Sequence, residues 1–314
     1  MAGFFNAVSA CVVLLMIMSV GYLMGARRWM GASEKKFLSK YIVNIAVPCN
    51  VITGLLNDLD RESLGHSVVL LISGWVSVGL TLLLSAGAAA LLRLPRERWG
   101  VFVAMAGLSN TIFIGIPVCT QLFGEASMPY LMVYYLSNTT LLQSVGITLV
   151  ERSGTLGRRG TGVWAFLKDL FLKPPILSVI FAVVMLVMGL DLPGPISRFA
   201  GYISGSVSPL ALIYCGFIVY EVGLKDLRPL PGLPTMLVIR LALAPAICWA
   251  CCRAFGVGGL AQSVFLVESA LPVVSQVPVM AGAYGADEQY AAVGSCLSIL
   301  GSFVSIPVLM LILG

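Results

Sequence analysis

Ten hydrophobic runs fill almost the whole of this chain, and each is long enough to cross a hydrocarbon core of ~30 Å as a helix. They are predicted at 4–25, 37–56, 67–92, 98–122 and 128–150, and again at 175–191, 196–221, 233–254, 260–284 and 289–313. Lipid offers no hydrogen bonds, so such runs must satisfy their own backbone, and helices are the simplest way to do it. Composition agrees: 59% of the 314 residues are hydrophobic, 11% are charged and the mean hydropathy is +0.98. A soluble domain of this size cannot hide that much apolar surface. The net charge of +5 does not point to nucleic acid, because the basic residues fall in short clusters between the apolar runs.

The two sets of five runs share their punctuation. Shifted by 161 residues, Pro48 falls on Pro209, Pro117 on Pro278 and Gly124 on Gly285. The predicted organisation is therefore a first five-helix repeat over 1–151, a cytoplasmic linker over 152–173 and a second five-helix repeat over 174–314. The linker begins polar and Gly-rich, ERSGTLGRRGTG, and ends as VWAFLKDLFLK, which suits a short helix lying at the membrane interface.

Orientation follows from Lys and Arg. Alternate loops on one side carry Arg27, Arg28, Lys35, Lys36 and Lys40, then Arg93, Arg96 and Arg98, then Arg152, Arg158, Arg159, Lys168 and Lys173, then Lys225 and Arg228. The opposite loops carry only Arg61, Arg198 and Arg253. The positive-inside rule puts the first set in the cytoplasm and both termini outside. With five helices per half, the second repeat begins on the opposite side from the first, giving inverted topology with a site at the interface. The first run lacks a basic leader and a small-residue cleavage site and is read as a retained helix. Arg240, near the start of the eighth run, is expected to snorkel to the interface.

Chemistry is expected where helices cannot stay regular. The fourth run, GLSNTIFIGIPVCTQLFG, places Ser109, Asn110, Thr111, Gly115 and Pro117 near its middle. The ninth, VESALPVVSQVPVMAGAYG, places Glu268, Pro272, Ser275, Gln276 and Pro278 at corresponding depth. Proline removes a helical hydrogen bond, and the backbone groups it frees must find protein, water or ligand. Two crossing broken helices would also bring half-helix N-termini, which favour anions, to the midplane. The amides are either substrate ligands or interhelical hydrogen bonds. Asn44 and Pro48 either touch substrate or mark a simple kink.

These stretches, with YIVNIAVPCNVITGLLN in the second run and SPLALIYCGFIV in the seventh, resemble the auxin efflux carrier family. The family includes plant auxin exporters and bacterial permeases for malonate, malate and similar anions. The resemblance covers nearly the whole chain. It implies a scaffold of spans 1, 2, 6 and 7 and a transport domain of spans 3–5 and 8–10, whose fourth and ninth helices unwind and cross at Pro117 and Pro278. It also implies Asn110 and Asn138 as substrate-facing amides and a homodimer formed through the scaffold. The long cytoplasmic loop of the plant exporters is missing here, which favours a bacterial-type permease.

Glu268 lies ~12 Å into its apolar run by helical rise, where an unpaired carboxylate must be protonated, paired or bound to a cation. It is read either as a coupling site for H⁺ or Na⁺ or as a structural acid. The remotely similar bile acid sodium symporters place a carboxylate at a sodium site in their ninth helix. The cysteines lie within spans without a partnering His, so no metal centre is expected, and no cofactor or Walker-type nucleotide loop is visible. The sequence therefore points to a secondary transporter of a small organic carboxylate in the cytoplasmic membrane, coupled to H⁺ or Na⁺. An anion channel and a membrane-embedded ligand sensor are the alternatives. No nucleophile, His base or metal set suggests an enzyme.

Overall fold

The computed structural model describes residues 2–58, 61–155, 174–223 and 230–313. The first half contains α1 (Ala2–Ala26), α2 (Ala32–Tyr41), α3 (Val47–Asp58), α4 (Arg61–Leu91), α5 (Arg96–Gly107), α6 (Ile116–Phe123), α7 (Met128–Leu141) and α8 (Ile147–Ser153). The second contains α9 (Pro174–Met188), α10 (Gly194–Gly205), α11 (Val207–Val222), α12 (Leu233–Val238), α13 (Ala244–Ala254), α14 (Gly259–Ala270), α15 (Gln276–Tyr284) and α16 (Glu288–Leu313). The predicted interfacial helix over 163–173 and the basic residues Lys225 and Arg228 lie outside the described residues.

Among the described residues, 4 helices are long and apolar enough to cross a bilayer: Val68–Leu91, Gly194–Glu221, Leu233–Ala254 and Glu288–Ile312. The protein is an all-α membrane protein. Other predicted runs are helical but interrupted, as in α5–α6 and α14–α15, or diluted by polar side chains, as in the segment α7–α8 with Ser137, Asn138, Thr139 and Thr140.

Large apolar side chains face outward, while the interior combines an apolar core with buried polar stripes. On α4, Ser73, Ser77, Thr81 and Ser85 recur every four residues on one buried face, while Leu80, Leu83 and Leu84 are exposed. Thr81 and Ser85 donate to the carbonyls of Ser77 and Thr81, so their hydroxyls are satisfied within the helix. This pattern suits a lipid surround and would be unstable in water.

Two packing groups emerge. In one, α1 lies along α11, and α3 packs on α9 and α10. Gly21 and Gly216 let α1 and α11 approach backbone to backbone, since a Cβ on either would fall on the carbonyl of Ile213 or Met18. In the other group, α4 packs on α5, α7 and α13, α5 on α8, and α13 on α14. The groups meet where α1 touches α6 and α16 and where α11 touches α16. At one end, Lys35 of α2 bridges Glu221 of α11 at 2.8 Å and Glu288 of α16 at 2.9 Å, and Arg98 of α5 holds Asp287 at 2.7 Å.

π turns explain how several prolines are accommodated. Ile42–Ala46, Thr111–Gly115 and Ile239–Leu243 are π-helical, and each is followed after one residue by a proline, Pro48, Pro117 and Pro245. The wider turn takes up the ring that would clash with the preceding carbonyl. The helix therefore bulges at these sites and does not break.

Candidate functional site

The crossing forms where two helices do break. Between α5 and the π turn before α6, residues 108–110 are non-helical; between α14 and α15, residues 271–275 are non-helical. The two segments pass antiparallel with Ser109 opposite Val273. Asn110 N–H donates to the Pro272 carbonyl at 3.0 Å, and Val274 N–H donates to the Leu108 carbonyl at 3.3 Å. The two bonds exchange when 108–110 is swapped with 272–274, a correspondence three residues longer than the 161-residue offset of the prolines.

The expected crossing at Pro117 and Pro278 is corrected accordingly. Pro117 follows the π turn as the second residue of α6, and Pro278 is the third residue of α15. Pro278 sits in a first turn, where the missing N–H leaves no orphaned carbonyl, whereas Pro117 lies in a helix continuous with the π turn before it. Of the predicted crossing residues, Pro272 takes part directly, through its carbonyl.

The backbone at the crossing is braced by side chains. Asn138 of α7 accepts from Ser109 N–H at 3.2 Å and donates to the Ser109 carbonyl at 2.9 Å, and its Oδ1 also lies 3.5 Å from the Ser109 hydroxyl. On the other strand, Ser298 of α16 accepts from Val273 N–H at 3.0 Å. Asn110 Nδ2 reaches the Ser275 hydroxyl at 3.4 Å, and the Asn110 carbonyl accepts from Ile114 and Gly115. Ser109 and Ser275 are thus engaged within the crossing itself.

A small cavity of about 20 Å³, room for roughly one water, opens beside it. Its polar lining includes Asn50, Asn110, Thr111, Asn138, Thr139 and Gln276. Here the structure brings together four predicted substrate residues, Asn110, Thr111, Asn138 and Gln276. Asn50 and Thr139 join them; Asn50, whose amide donates to Ser204 at 2.8 Å, comes from the other packing group. A wider cavity of about 230 Å³ lies on the side of Lys40 and Tyr284 and is also lined by Gln276, Gln143 and Asn44. Asn44 therefore faces this vestibule, with its amide donating to the Lys40 carbonyl at 2.9 Å. Gln143 donates to Gln276 at 3.2 Å between the two spaces.

Two buried charged residues flank the crossing. Glu268, in the last turn of α14, is 0% exposed. Its Oε1 accepts from the Cys119 thiol at 3.3 Å, and its Oε2 has no hydrogen-bond partner among the described residues. Gly115 packs against the carboxylate so closely that a Cβ there would come within 2.8 Å of Oε2. Arg240 is 1% exposed, which overturns the snorkelling expectation. Its Nη1 donates to the Ala106 carbonyl at 3.2 Å and its Nη2 to the Ser269 carbonyl, while Nε has no partner among the described residues. Ala106 and Ser269 lie in the last turns of α5 and α14, so one guanidinium caps the negative ends of both first half-helices. Arg240 could have been singled out in the sequence as an arginine inside an apolar run. Its partners lie on distant elements, which local periodicity does not reveal. Among the described residues no group of His, Cys, Asp and Glu is arranged to hold a metal.

A family model described as membrane transport protein matches residues 6–158 and 163–310 of this chain. An uncharacterized transporter of Methanothermobacter thermautotrophicus is 26% identical over 319 aligned residues, covering 99% of each chain. A second uncharacterized transporter, from Methanocaldococcus jannaschii, is 24% identical over 283 aligned residues, covering 88% of this chain and 89% of the relative.

Proposed function

The chain belongs to the membrane transport protein family, the auxin efflux carrier family, which makes it an integral membrane transporter and not an enzyme, and we propose that it carries a small organic carboxylate by alternating access. The meeting of two broken helices at a polar cavity carries this reading. Asn110, Thr111 and Gln276 line the small cavity where the second half-helices begin, so amide donors and positive helix ends converge on a space that an anion would occupy once it widens. In this reading Asn138 and Ser275 hold the crossing in shape, and Glu268 takes the coupling cation. The groups packed on that carboxylate, the Cys119 thiol and the Gly115 backbone, offer few oxygen ligands and so favour H⁺ over Na⁺.

The proposed architecture has ten spans as two inverted repeats in the cytoplasmic membrane, with both termini outside. Spans 1, 2, 6 and 7 form the scaffold, and spans 3–5 and 8–10 move against it. The two packing groups support that division. In this topology the vestibule beside Lys40 would face the cytoplasm, which supports reading the conformation as inward-facing. A homodimer through the scaffold follows from the family resemblance. Saturable counterflow of labelled malonate in proteoliposomes tests the reading: carrier exchange accelerates with unlabelled malonate inside the vesicle, whereas a channel shows no such acceleration.

A further inference from the structure

Arg240 and Glu268 belong to one body. The guanidinium is bonded to the carbonyl of Ser269, the residue after Glu268, and to Ala106 at the end of α5. They do not form a salt bridge with each other among the described residues; the Glu268 carboxylate contacts Cys119 and lies against Gly115. Tyr134 of α7, fully buried, lies within electrostatic reach of both. The other titratable groups on the elements packed around α14 are Cys119 of α6, Tyr130 and Tyr135 of α7, Cys248, Cys251, Cys252 and Arg253 of α13, and Glu288, Tyr290 and Cys296 of α16, and the turn Glu125–Ser127 packs on the same helix. Arg240 is the sole basic side chain buried among the described residues, and a guanidinium does not lose its proton at physiological pH.

We propose that Arg240 is a fixed charge and Glu268 a switchable one, so that the buried interior of the moving body is neutral only when it is empty with Glu268 ionised or when it carries both a monoanionic carboxylate and one cation on Glu268. This rests on the carboxylate-carrier reading above. In the empty carrier, the Arg240 cation and the Glu268 anion cancel. A proton on Glu268 alone leaves one positive charge, and a bound monoanion alone leaves one negative charge. A monoanion with a protonated Glu268 returns the body to neutrality. An uncompensated charge moving through low-dielectric surroundings is strongly disfavoured, so the half-loaded forms stay put and the fluxes of anion and cation are tied one to one. Coupling then needs no direct contact between the anion and Glu268, which fits the carboxylate's position outside the cavity lining.

The test uses labelled malonate in proteoliposomes, at a pH where its monoanion predominates, with the membrane potential set by a potassium gradient. Wild type is expected to exchange malonate and to show net uptake that follows a pH gradient but does not respond to the potential. Glu268→Gln keeps the loaded form neutral but leaves the empty form charged, so exchange persists while net uptake falls to the level of protein-free vesicles. Arg240→Gln loses both activities, and Arg240→Lys, which keeps the charge, retains exchange. If either variant fails to fold, the wild-type response to potential still decides. Net uptake driven by the potential, full net uptake by Glu268→Gln, or wild-type exchange by Arg240→Gln would overturn the proposal while leaving the carrier reading standing. A wild type that exchanges no carboxylate overturns the carrier reading, and this inference with it.

Discussion

Asn138 supplies Ser109 with the two backbone hydrogen bonds that the helix break removes, accepting from its N–H at 3.2 Å and donating to its carbonyl at 2.9 Å. A single side chain thus replaces the helical ladder at the point where the chain crosses its counterpart. Asn138→Ala leaves a buried N–H and a buried carbonyl unsatisfied, which costs about 1–3 kcal/mol each. The expected result is a clear drop in thermal stability in detergent together with loss of transport. Ser298→Ala removes one such bond, to Val273, and lowers stability less.

Gln276 lines both cavities and is held by Gln143 at 3.2 Å. An interhelical amide bond of this kind contributes about 0.6 kcal/mol, so Gln276→Ala should fold almost normally. Its transport kcat/KM should nonetheless fall by about tenfold or more, the loss of ~1.4 kcal/mol of binding to the moving anion. Asn110→Ala should behave likewise. Initial rates at several malonate concentrations, measured on protein that elutes normally in size exclusion, check both; wild-type kinetics would remove these residues from the site.

Gly115→Ala would ordinarily favour a helix by about 1 kcal/mol. Here the added methyl meets the Glu268 carboxylate, with Cδ at 2.9 Å. The variant should bind malonate with near-normal affinity yet respond weakly to a pH gradient, because the carboxylate is displaced from its pocket. Shortening the acid in the Gly115→Ala/Glu268→Ser double variant relieves the overlap, so its thermal stability should recover while coupling stays lost.

Lys35 ties α2 to both α11 and α16. Burial pulls its pKa down, but the hydrogen bonds and charges of Glu221 and Glu288 outweigh that, leaving it above the ordinary 10.5. A raised lysine pKa stabilises the folded state fully below the unfolded value, and the contribution fades only as pH rises through the folded one. The lysine's contribution to the link is therefore constant through neutral pH and fades in strong alkali. Lys35→Met should speed interconversion between inward-open and outward-open forms at pH 7, measured as faster turnover, with Glu288→Gln acting in the same direction. An unchanged turnover in Lys35→Met would show that these contacts do not restrain the movement.

Much of this was legible in the sequence for physical reasons. The apolar runs announce helices in lipid, and the amides and hydroxyls of SNTIFIG and PVVSQVP mark where a helix must break. The register of the crossing was not legible, because a proline looks the same whether a π turn absorbs it, as before Pro117, or its own carbonyl pairs across the crossing, as at Pro272. Arg240 was misread for a similar reason. Its depth along the run is consistent with snorkelling, and only the fold brings the ends of α5 and α14 to its guanidinium. Asn138 stood out as a polar residue in an apolar run, but its role as a brace depends on Ser109 having lost its helical partners.

Uptake of labelled malonate and related carboxylates into proteoliposomes under imposed pH or Na⁺ gradients, for wild type and Asn110→Ala, tests the central claim most directly. The account predicts saturable, gradient-stimulated uptake of at least one carboxylate by wild type, abolished by a variant that still folds. Uptake of no carboxylate under any gradient, or equal uptake by Asn110→Ala, would contradict it.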